Sequence, residues 1–328
     1  MSRLRLQFVW SAWWLTLIGW CATIWRSQFR RGESLHALYY LYGGNGDGLK
    51  QVIGFQGIHG AYSEQAIRQH FGDTVDVHPC PTLTDLFDAI NSNVVTHAML
   101  PVENALAGAV AQAYELLLES DLRIQAEVIV HVHHALLAPR GVNMDDLECV
   151  RSHPQALAQC EQFLRRNGLK AIPWYDTAGS ARDLASDKDA GKKAGAIASP
   201  LAGELYGLDI LATEIEDVNF NYTRFFVLGY EDSARGDYNK TSLVFATRNR
   251  PAALYECIGE FATRGINLTK IESRPRRNRP WEPVFFVDVE GHWQDTNCQE
   301  ALARLLQRAS FVKMLGSYPA VKTNSVGM

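Results

Sequence analysis

The chain has 328 residues, 47% of them hydrophobic, which is enough for two or three domains with real cores. A formal net charge of −4 lacks the basic surplus of a nucleic-acid binder, so no nucleic-acid partner is expected. The six cysteines (Cys21, Cys80, Cys149, Cys160, Cys257, Cys298) are scattered without a C-x-x-C pair; this argues against a disulfide framework or zinc site and for reduced thiols in a cytoplasmic protein.

Residues 1–32 differ from everything after them. Leu6 to Trp25 carries no formal charge and holds five of the eight tryptophans. As a helix it would span roughly 30 Å, one bilayer crossing. Gln7, Ser11, Thr16 and Thr23 dilute the apolar run, and arginines flank it on both sides. It reads either as a membrane anchor through residues 6–25 or as the product of an upstream start. Residues 33–50, with "GGNGDG", read as a flexible linker.

From residue 51, strand and helix patterns alternate at α/β spacing. Gln51–Phe55 reads as a strand, Ser63–Phe71 as a helix and Val75–His78 as a strand. Leu83, Leu86, Phe87 and Ile90 fall on one helical face. Residues 97–104 form a strand running into a loop, 108–120 a helix, and 126–138 a long β-rich run. A second α/β series follows, with a strand at 149–152 and a helix from Pro154 to Arg166, where Gly168 stops it. "AIPWYD", "TAGSARDLAS" and "AGAIASPLAGELYG" continue the alternation. Two small α/β lobes with a cleft between them are the economical arrangement, with ligands off the carboxyl ends of the strands. After a polar break, residues 239–320 read in the order βαββαβ, a separate ferredoxin-like domain. Residues 321–328 form a tail.

The turn "GFQGIHGAYSE" places glycines between a strand and a helix, where backbone N–H groups hold anions. Its spacing is G-x-x-G-x-x-G, not the dinucleotide G-x-G-x-x-G, although Asp76 follows about twenty residues on. A nucleotide, a ligand-free tight turn, and a small anion with Ser63 capping the helix all remain open there. "HVHH" at 131–134 has no cysteine or carboxylate near in sequence, so burial in a sheet is favoured over a metal site. Strand ends elsewhere present Ser152, with Gln155 and Gln159 on one helix face, then Glu103 with Asn104, and Thr223 with Arg224. That set supplies hydroxyls, amides and one arginine, and suits positioning and proton donation to a carboxylated small molecule without a cofactor.

In their order along the chain, "GFQGIHGAYSE", "LPVENALAG", "SHPQALAQC", "DTAGSA" and "NYTRF" closely resemble the prephenate dehydratase family. "NLTKIESRP" and "LGSYP" are similar to its C-terminal ACT regulatory domain. The resemblance spans about Val52 to Pro319 and leans towards the branch that includes plant arogenate dehydratases. It implies a catalytic region, residues 51–232, whose two lobes resemble type II periplasmic binding proteins, followed by an ACT domain at 239–320. It further implies decarboxylating dehydration of prephenate to phenylpyruvate, with arogenate as the alternative substrate.

The same resemblance assigns catalysis to Thr223, Glu103, Asn104 and Gln159, and substrate binding to Ser63, Ser152, Thr177, Arg224 and Phe225. The turn at Ser63 is then expected to hold a substrate carboxylate. Phenylalanine is implied as effector at Ala252, Leu254, Asn267, Leu268, Glu272, Ser273, Arg274 and Pro275, between paired ACT domains of a homodimer or tetramer. Departures from the family pattern are Ala105 for a serine, Glu216 for a glutamine, and Ala252 for a glycine whose absence would weaken effector binding. Against this stand three other readings: a membrane-tethered solute-binding protein, a nucleotide-dependent dehydrogenase, and a catalytically dead amino-acid sensor.

Overall fold

The computed structural model describes residues 51–187, 193–276 and 279–321. The hydrophobic segment 6–25 and the linker lie outside the described residues, as does most of the expected tail. Among the described residues, no helix is long and apolar enough to cross a membrane.

Lobe 1 opens with β1 (Val52–Gln56), α1 (Tyr62–Phe71), β2 (Asp76–Cys80), α2 (Leu83–Asn91), β3 (His97–Asn104), β4 (Gly108–Ala109), α3 (Ala111–Glu119) and β5 (Arg123–His131). Helix α2 starts where Thr82 and Asp85 exchange side-chain to backbone bonds at 3.1 and 3.0 Å, a capping box. The four apolar residues read from its periodicity are all buried. At 108–109 the expected helix is instead a short strand on β3, and α3 begins only at Ala111.

The long β-rich run breaks in two. Residues 132–134 cross from β5 to β6 (Ala135–Ala138) in lobe 2. That lobe continues with β7 (Cys149–Ser152), α4 (Pro154–Gln159), α5 (Glu161–Arg166), β8 (Lys170–Pro173), α6 (Thr177–Ser186), β9 (Ala194–Ala198), α7 (Pro200–Tyr206) and β10 (Asp209–Ala212). The helix expected from Pro154 to Arg166 is interrupted at buried Cys160. There Asp217 N–H bonds the Gln159 carbonyl at 2.7 Å, and the Asp217 carboxylate accepts the Gln162 N–H at 3.1 Å. The chain then returns to lobe 1 as β11 (Tyr222–Gly229).

The strand orders are β2-β1-β3-β11-β5 in lobe 1 and β10-β6-β9-β7-β8 in lobe 2. Apart from the two-residue β4, each sheet thus has a parallel core and one antiparallel strand contributed after a crossover, β11 or β6. Two crossovers joining two such lobes are the two-lobed, periplasmic-binding-protein-like arrangement expected of the chain. The lobes meet at the glycine turn. A Cβ on Gly60 would stand 2.7 Å from the Ala202 backbone, and φ there is +85°. Only glycine lets α7 approach this closely.

The C-terminal domain comprises β12 (Asn239–Ala246), α8 (Ala253–Ala262), β13 (Leu268–Arg276), β14 (Arg279–Glu290), α9 (Thr296–Arg308) and β15 (Phe311–Pro319). Its sheet order is β13-β14-β12-β15, the expected ferredoxin-like βαββαβ. One sheet face buries Leu243, Phe245, Val287 and Val289 with Phe261 and Leu305 of the two helices. The other face, with Val244, Val284, Phe286 and Leu315, joins the lobe 1 core at Leu100, Phe226 and Leu228. Gly316 permits that contact, because a Cβ there would collide with the Ile124 carbonyl.

Candidate active site

The site is built on the pairing of β3 with β11, in which Asn104 lies opposite Thr223 and Glu103 opposite Arg224. Side chains alternate faces along a strand, so these neighbours point apart. Asn104 and Thr223 turn to the cleft side, and Glu103 and Arg224 turn towards the C-terminal domain.

On the cleft side the amide orientations follow from one another. The N–H groups of Leu106 and Ala107 donate to Asn104 Oδ1 at 3.0 and 2.9 Å, so the Asn104 Nδ2 must point the other way. It donates to Thr223 Oγ1 at 2.9 Å and to Asn221 Oδ1 at 2.8 Å. Asn221 Nδ2 therefore donates to Gln159 Oε1 at 3.2 Å. The same Oε1 lies 2.8 Å from His134 Nε2, which must carry its proton. His134 Nδ1 is then left as an acceptor 2.8 Å from the Tyr62 hydroxyl, whose one proton it shares with the His133 carbonyl at 2.7 Å.

Two groups end this chain as donors. The Thr223 hydroxyl accepts from Asn104, and its own proton has no protein acceptor among the described residues. Gln159 Nε2 has no protein acceptor among the described residues. Accepting a hydrogen bond makes a hydroxyl a better donor, and the network supplies that polarisation.

Burial lowers the pKa of His134 below its ordinary value and keeps it neutral, although the Gln159 bond and Glu216 act in the other direction. Burial, and beyond it the Glu216 carboxylate, raise the Tyr62 phenol well above its ordinary value. Glu216, with a 3% exposed side chain, is engaged by His133 Nδ1 at 2.8 Å and the His134 N–H at 2.9 Å. His131 stacks on Tyr222 at 4.3 Å and bonds the Asn219 carbonyl at 2.6 Å. The histidine run thus serves the hinge between lobes. Among the described residues no group of histidine, cysteine and carboxylate side chains could hold a metal ion.

Several expectations are corrected by this geometry. Glu103 is not in the cleft: it pairs with Lys270 of β13 at 2.9 Å. Arg224 cannot reach a substrate carboxylate, because it is held between Glu127 at 2.7 Å and Asp288 at 2.6 Å on the opposite face. Phe225, 1% exposed, packs in the lobe 1 core with Phe55 and Val128. Ser152 is fully buried and donates to the Ile197 carbonyl at 2.7 Å, pinning β7 to β9 rather than meeting a ligand.

The glycine turn also holds an anion of its own. The buried Glu64 carboxylate accepts the Gly60 N–H at 2.9 Å and pairs with Arg68 at 2.6 Å. Ser63 is not the cap, since α1 begins at Tyr62 with Ala61 in the cap position. The Ser63 N–H and hydroxyl have no protein partner among the described residues. Ala61 packs on the cluster containing Ala178, so the start of α1 adjoins the start of α6, where Thr177 stands. There Asp176, not Thr177, caps the helix by accepting the Gly179 N–H at 2.6 Å.

The expected effector residues occupy two places. Ala252 and Leu254 line a cavity of about 270 Å³ with Arg248, Arg250 and Tyr255. Ala252 has φ 63°, the left-handed conformation that favours glycine. None of the β13 residues lines that cavity. Asn267 is exposed just before β13, Ser273 and Pro275 are exposed along it, Leu268 packs against the domain core, and Glu272 and Arg274 pair with each other at 2.6 Å.

Tyr62, His134 and Asn221 were not among the residues singled out as site residues from sequence. Asn221 was recoverable: it stands two residues before Thr223, hence on the same strand face. Tyr62 and His134 had no such signal, because they come from a helix start and a crossover 72 residues apart.

A two-lobed cleft lined by hydrogen-bond donors, joined to a ferredoxin-like domain, defines a small-molecule protein with proton-donating capacity. A family model described as prephenate dehydratase matches residues 53–233. The chain is 42% identical over 296 residues to arogenate dehydratase/prephenate dehydratase 1, chloroplastic, of Arabidopsis thaliana, covering 85% of this chain and 74% of the relative. Among solved structures, prephenate dehydratase from Arthrobacter aurescens in complex with L-Phe has 30% identity and a TM-score of 0.74, covering 83% of this chain and 93% of that one. GqqA, described as a novel type of quorum quenching acylase, has 35% identity and a TM-score of 0.77, covering 84% and 100%.

The chain belongs to the prephenate dehydratase family. It is a carbon–oxygen lyase that dehydrates prephenate in phenylalanine biosynthesis.

Proposed function

We propose that Thr223 is the proton donor of this reaction, that Asn104 orients and polarises it, and that prephenate is preferred over arogenate. The observation that supports the assignment is the fixed direction of the amide chain, which leaves the Thr223 proton and Gln159 Nε2 as donors. Thr223 protonates the departing ring hydroxyl, the ring carboxylate leaves as CO2, and its bond electrons complete the aromatic ring. The products are phenylpyruvate, water and CO2, with one proton consumed. Gln159, the free N–H and hydroxyl of Ser63, and Thr177 bind the two carboxylates and the side-chain ketone.

The preference for prephenate rests on charge. Arogenate carries an ammonium where prephenate has a ketone. The carboxylates beside the network, Glu64 and Glu216, are both engaged by protein groups, and Glu103 faces the other domain. No described carboxylate is left to receive an ammonium at the donor chain.

Residues 51–232 form the catalytic part in this reading, and residues 239–320 are an ACT domain that binds phenylalanine. Its site is completed between two copies of the chain, with Ala252 and Leu254 from one and, from the other, the exposed Asn267 just before β13 and Ser273 and Pro275 on it. The L-Phe complex of the Arthrobacter aurescens relative supports the choice of effector.

An acylase reading, prompted by one structural relative, needs a nucleophile beside a base. Thr223 has an amide beside it, which is not a base. Turnover of prephenate and arogenate on the same preparation tests the proposal. The expected result is a higher kcat/KM for prephenate, and a higher value for arogenate would reverse the substrate assignment. Full activity in Thr223→Val would remove the proton-donor role.

A further inference from the structure

Behind the cleft, four charges sit in two facing pairs. In lobe 1, Arg224 of β11 lies opposite Glu103 of β3. In the C-terminal sheet, Lys270 of β13 lies opposite Asp288 of β14. Each carboxylate meets the cation of the other domain: Lys270 Nζ to Glu103 at 2.9 Å and Arg224 to Asp288 at 2.6 Å. The Lys270 ammonium also stands 5.3 Å over the ring of Tyr114, a lobe 1 residue on α3.

The Arg224–Asp288 pair is the one shielded from water, whereas Glu103 of the other pair is 38% exposed. The side chains of Arg224 and Asp288 are 13% and 6% exposed, and Lys270 is 12% exposed. Charge pairs held away from solvent are stiff, because screening is weak and separation leaves a charge uncompensated. Lys240 and Tyr318 extend the contact, through Glu127 at 2.8 Å and Arg224 at 3.3 Å.

The reacting pair is one residue away on each strand. Asn104 follows Glu103, Thr223 precedes Arg224, and the two lie opposite each other in register. A displacement of Glu103 or Arg224 is therefore a displacement of the Asn104–Thr223 hydrogen bond. Misplacing a reacting group by about 1 Å can cost about 10²-fold in rate.

We infer that Glu103, Arg224, Lys270 and Asp288 are positioning residues, a four-charge clamp by which the C-terminal domain sets the geometry of the Asn104–Thr223 pair. The inference rests on the reading of Thr223 as proton donor. It gives the C-terminal domain a part in catalysis even without an effector. It also makes Lys270, on the strand assigned to the effector, the residue through which movement of β13 reaches the cleft.

The test uses the full chain and prephenate, with kcat, KM and melting temperature measured for Lys270→Glu, Lys270→Met and the exchange Glu103→Lys/Lys270→Glu. Lys270→Met and Lys270→Glu are expected to lower kcat by about tenfold or more while KM stays within about twofold, as loss of alignment predicts. The exchange is expected to recover part of kcat, since Glu272, 3.2 Å from Lys270 Nζ, then faces a carboxylate. If Lys270→Glu does not fold, Lys270→Met supplies the same comparison. A lowered melting temperature with kcat unchanged in Lys270→Met would mean that the bridge only holds the domains together, which overturns the clamp. Thr223→Val separates the two ideas. If it is inactive while the Lys270 variants keep full kcat, the clamp alone falls; if it is fully active, the proton-donor reading falls and takes the clamp with it.

Discussion

The two faces of the β3–β11 pair use adjacent residues for opposite purposes. The cleft face carries uncharged groups, Asn104, Asn221 and Thr223, held by bonds of 2.8–3.2 Å that end in donors without protein acceptors among the described residues. The domain face carries charges, Glu103 and Arg224, each matched by an opposite charge. Polar groups that leave donors unmatched are arranged for a ligand, whereas matched charges are arranged for another part of the protein. The comparison teaches that proximity to a catalytic residue in sequence says little about contact with substrate when the backbone is a strand.

Substitutions on the cleft face should therefore cost activity alone, and those on the domain face stability as well as activity. On the cleft face, Thr223→Val is expected to reduce kcat by about 10²–10⁴-fold with little change in melting temperature, measured as phenylpyruvate formation. On the domain face, Arg224→Met leaves Asp288 without its cation, and Glu127 keeps only Lys240. It is expected to cost about 3–5 kcal/mol in urea denaturation. A neutral result there would mean that the buried charges are dispensable.

Gln159→Ala removes a donor to a charged ligand, worth about 1.5–3 kcal/mol, so KM for prephenate should rise about tenfold or more. An unchanged KM would place Gln159 outside the binding set. Ala252→Gly relieves a left-handed alanine, a conformation that costs roughly 1–2 kcal/mol, part of which is offset by the greater backbone entropy of glycine. A net gain of about 0.5–1 kcal/mol in thermal or urea unfolding is expected, and a loss would show that the methyl contributes packing.

The smallest effect concerns pH. Burial lowers the folded pKa of His134, so below the ordinary histidine value near 6.5 the unfolded chain binds a proton that the folded chain refuses. Stability therefore falls as pH drops from about 6.5 and stops falling once the folded histidine also titrates. His134→Gln should flatten that slope in urea midpoints taken between about pH 7 and pH 5. An identical slope in the variant would shift the acid sensitivity to His70, His97 and His292, whose pKa values burial also lowers.

Much of the fold was legible because its signals are local. The apolar face of α2 and the βαββαβ order each depend on residues close in sequence. The ordered motifs also identified the family, since they mark strand ends where a cleft must lie. Strand alternation alone could have divided Asn104 from Glu103 and Thr223 from Arg224. Ser152 and Phe225 were misread because a polar or aromatic residue in a motif looks the same whether it faces a ligand or pins a sheet.

The glycine turn shows where sequence stops and tertiary structure decides. Sequence by itself determined that backbone N–H groups would be left unpaired between β1 and α1, and that an anion would suit them. Only the folded chain decided that Glu64 takes the Gly60 N–H while the Ser63 N–H stays available for a ligand. The same division holds for the site as a whole. The types of residue are written locally, but which donors end without a protein acceptor depends on two crossovers that bring Tyr62, His134, Gln159 and Asn221 together from distant parts of the chain. Hydrogen-bond matching is a property of neighbours in space, so it becomes defined only when the lobes meet.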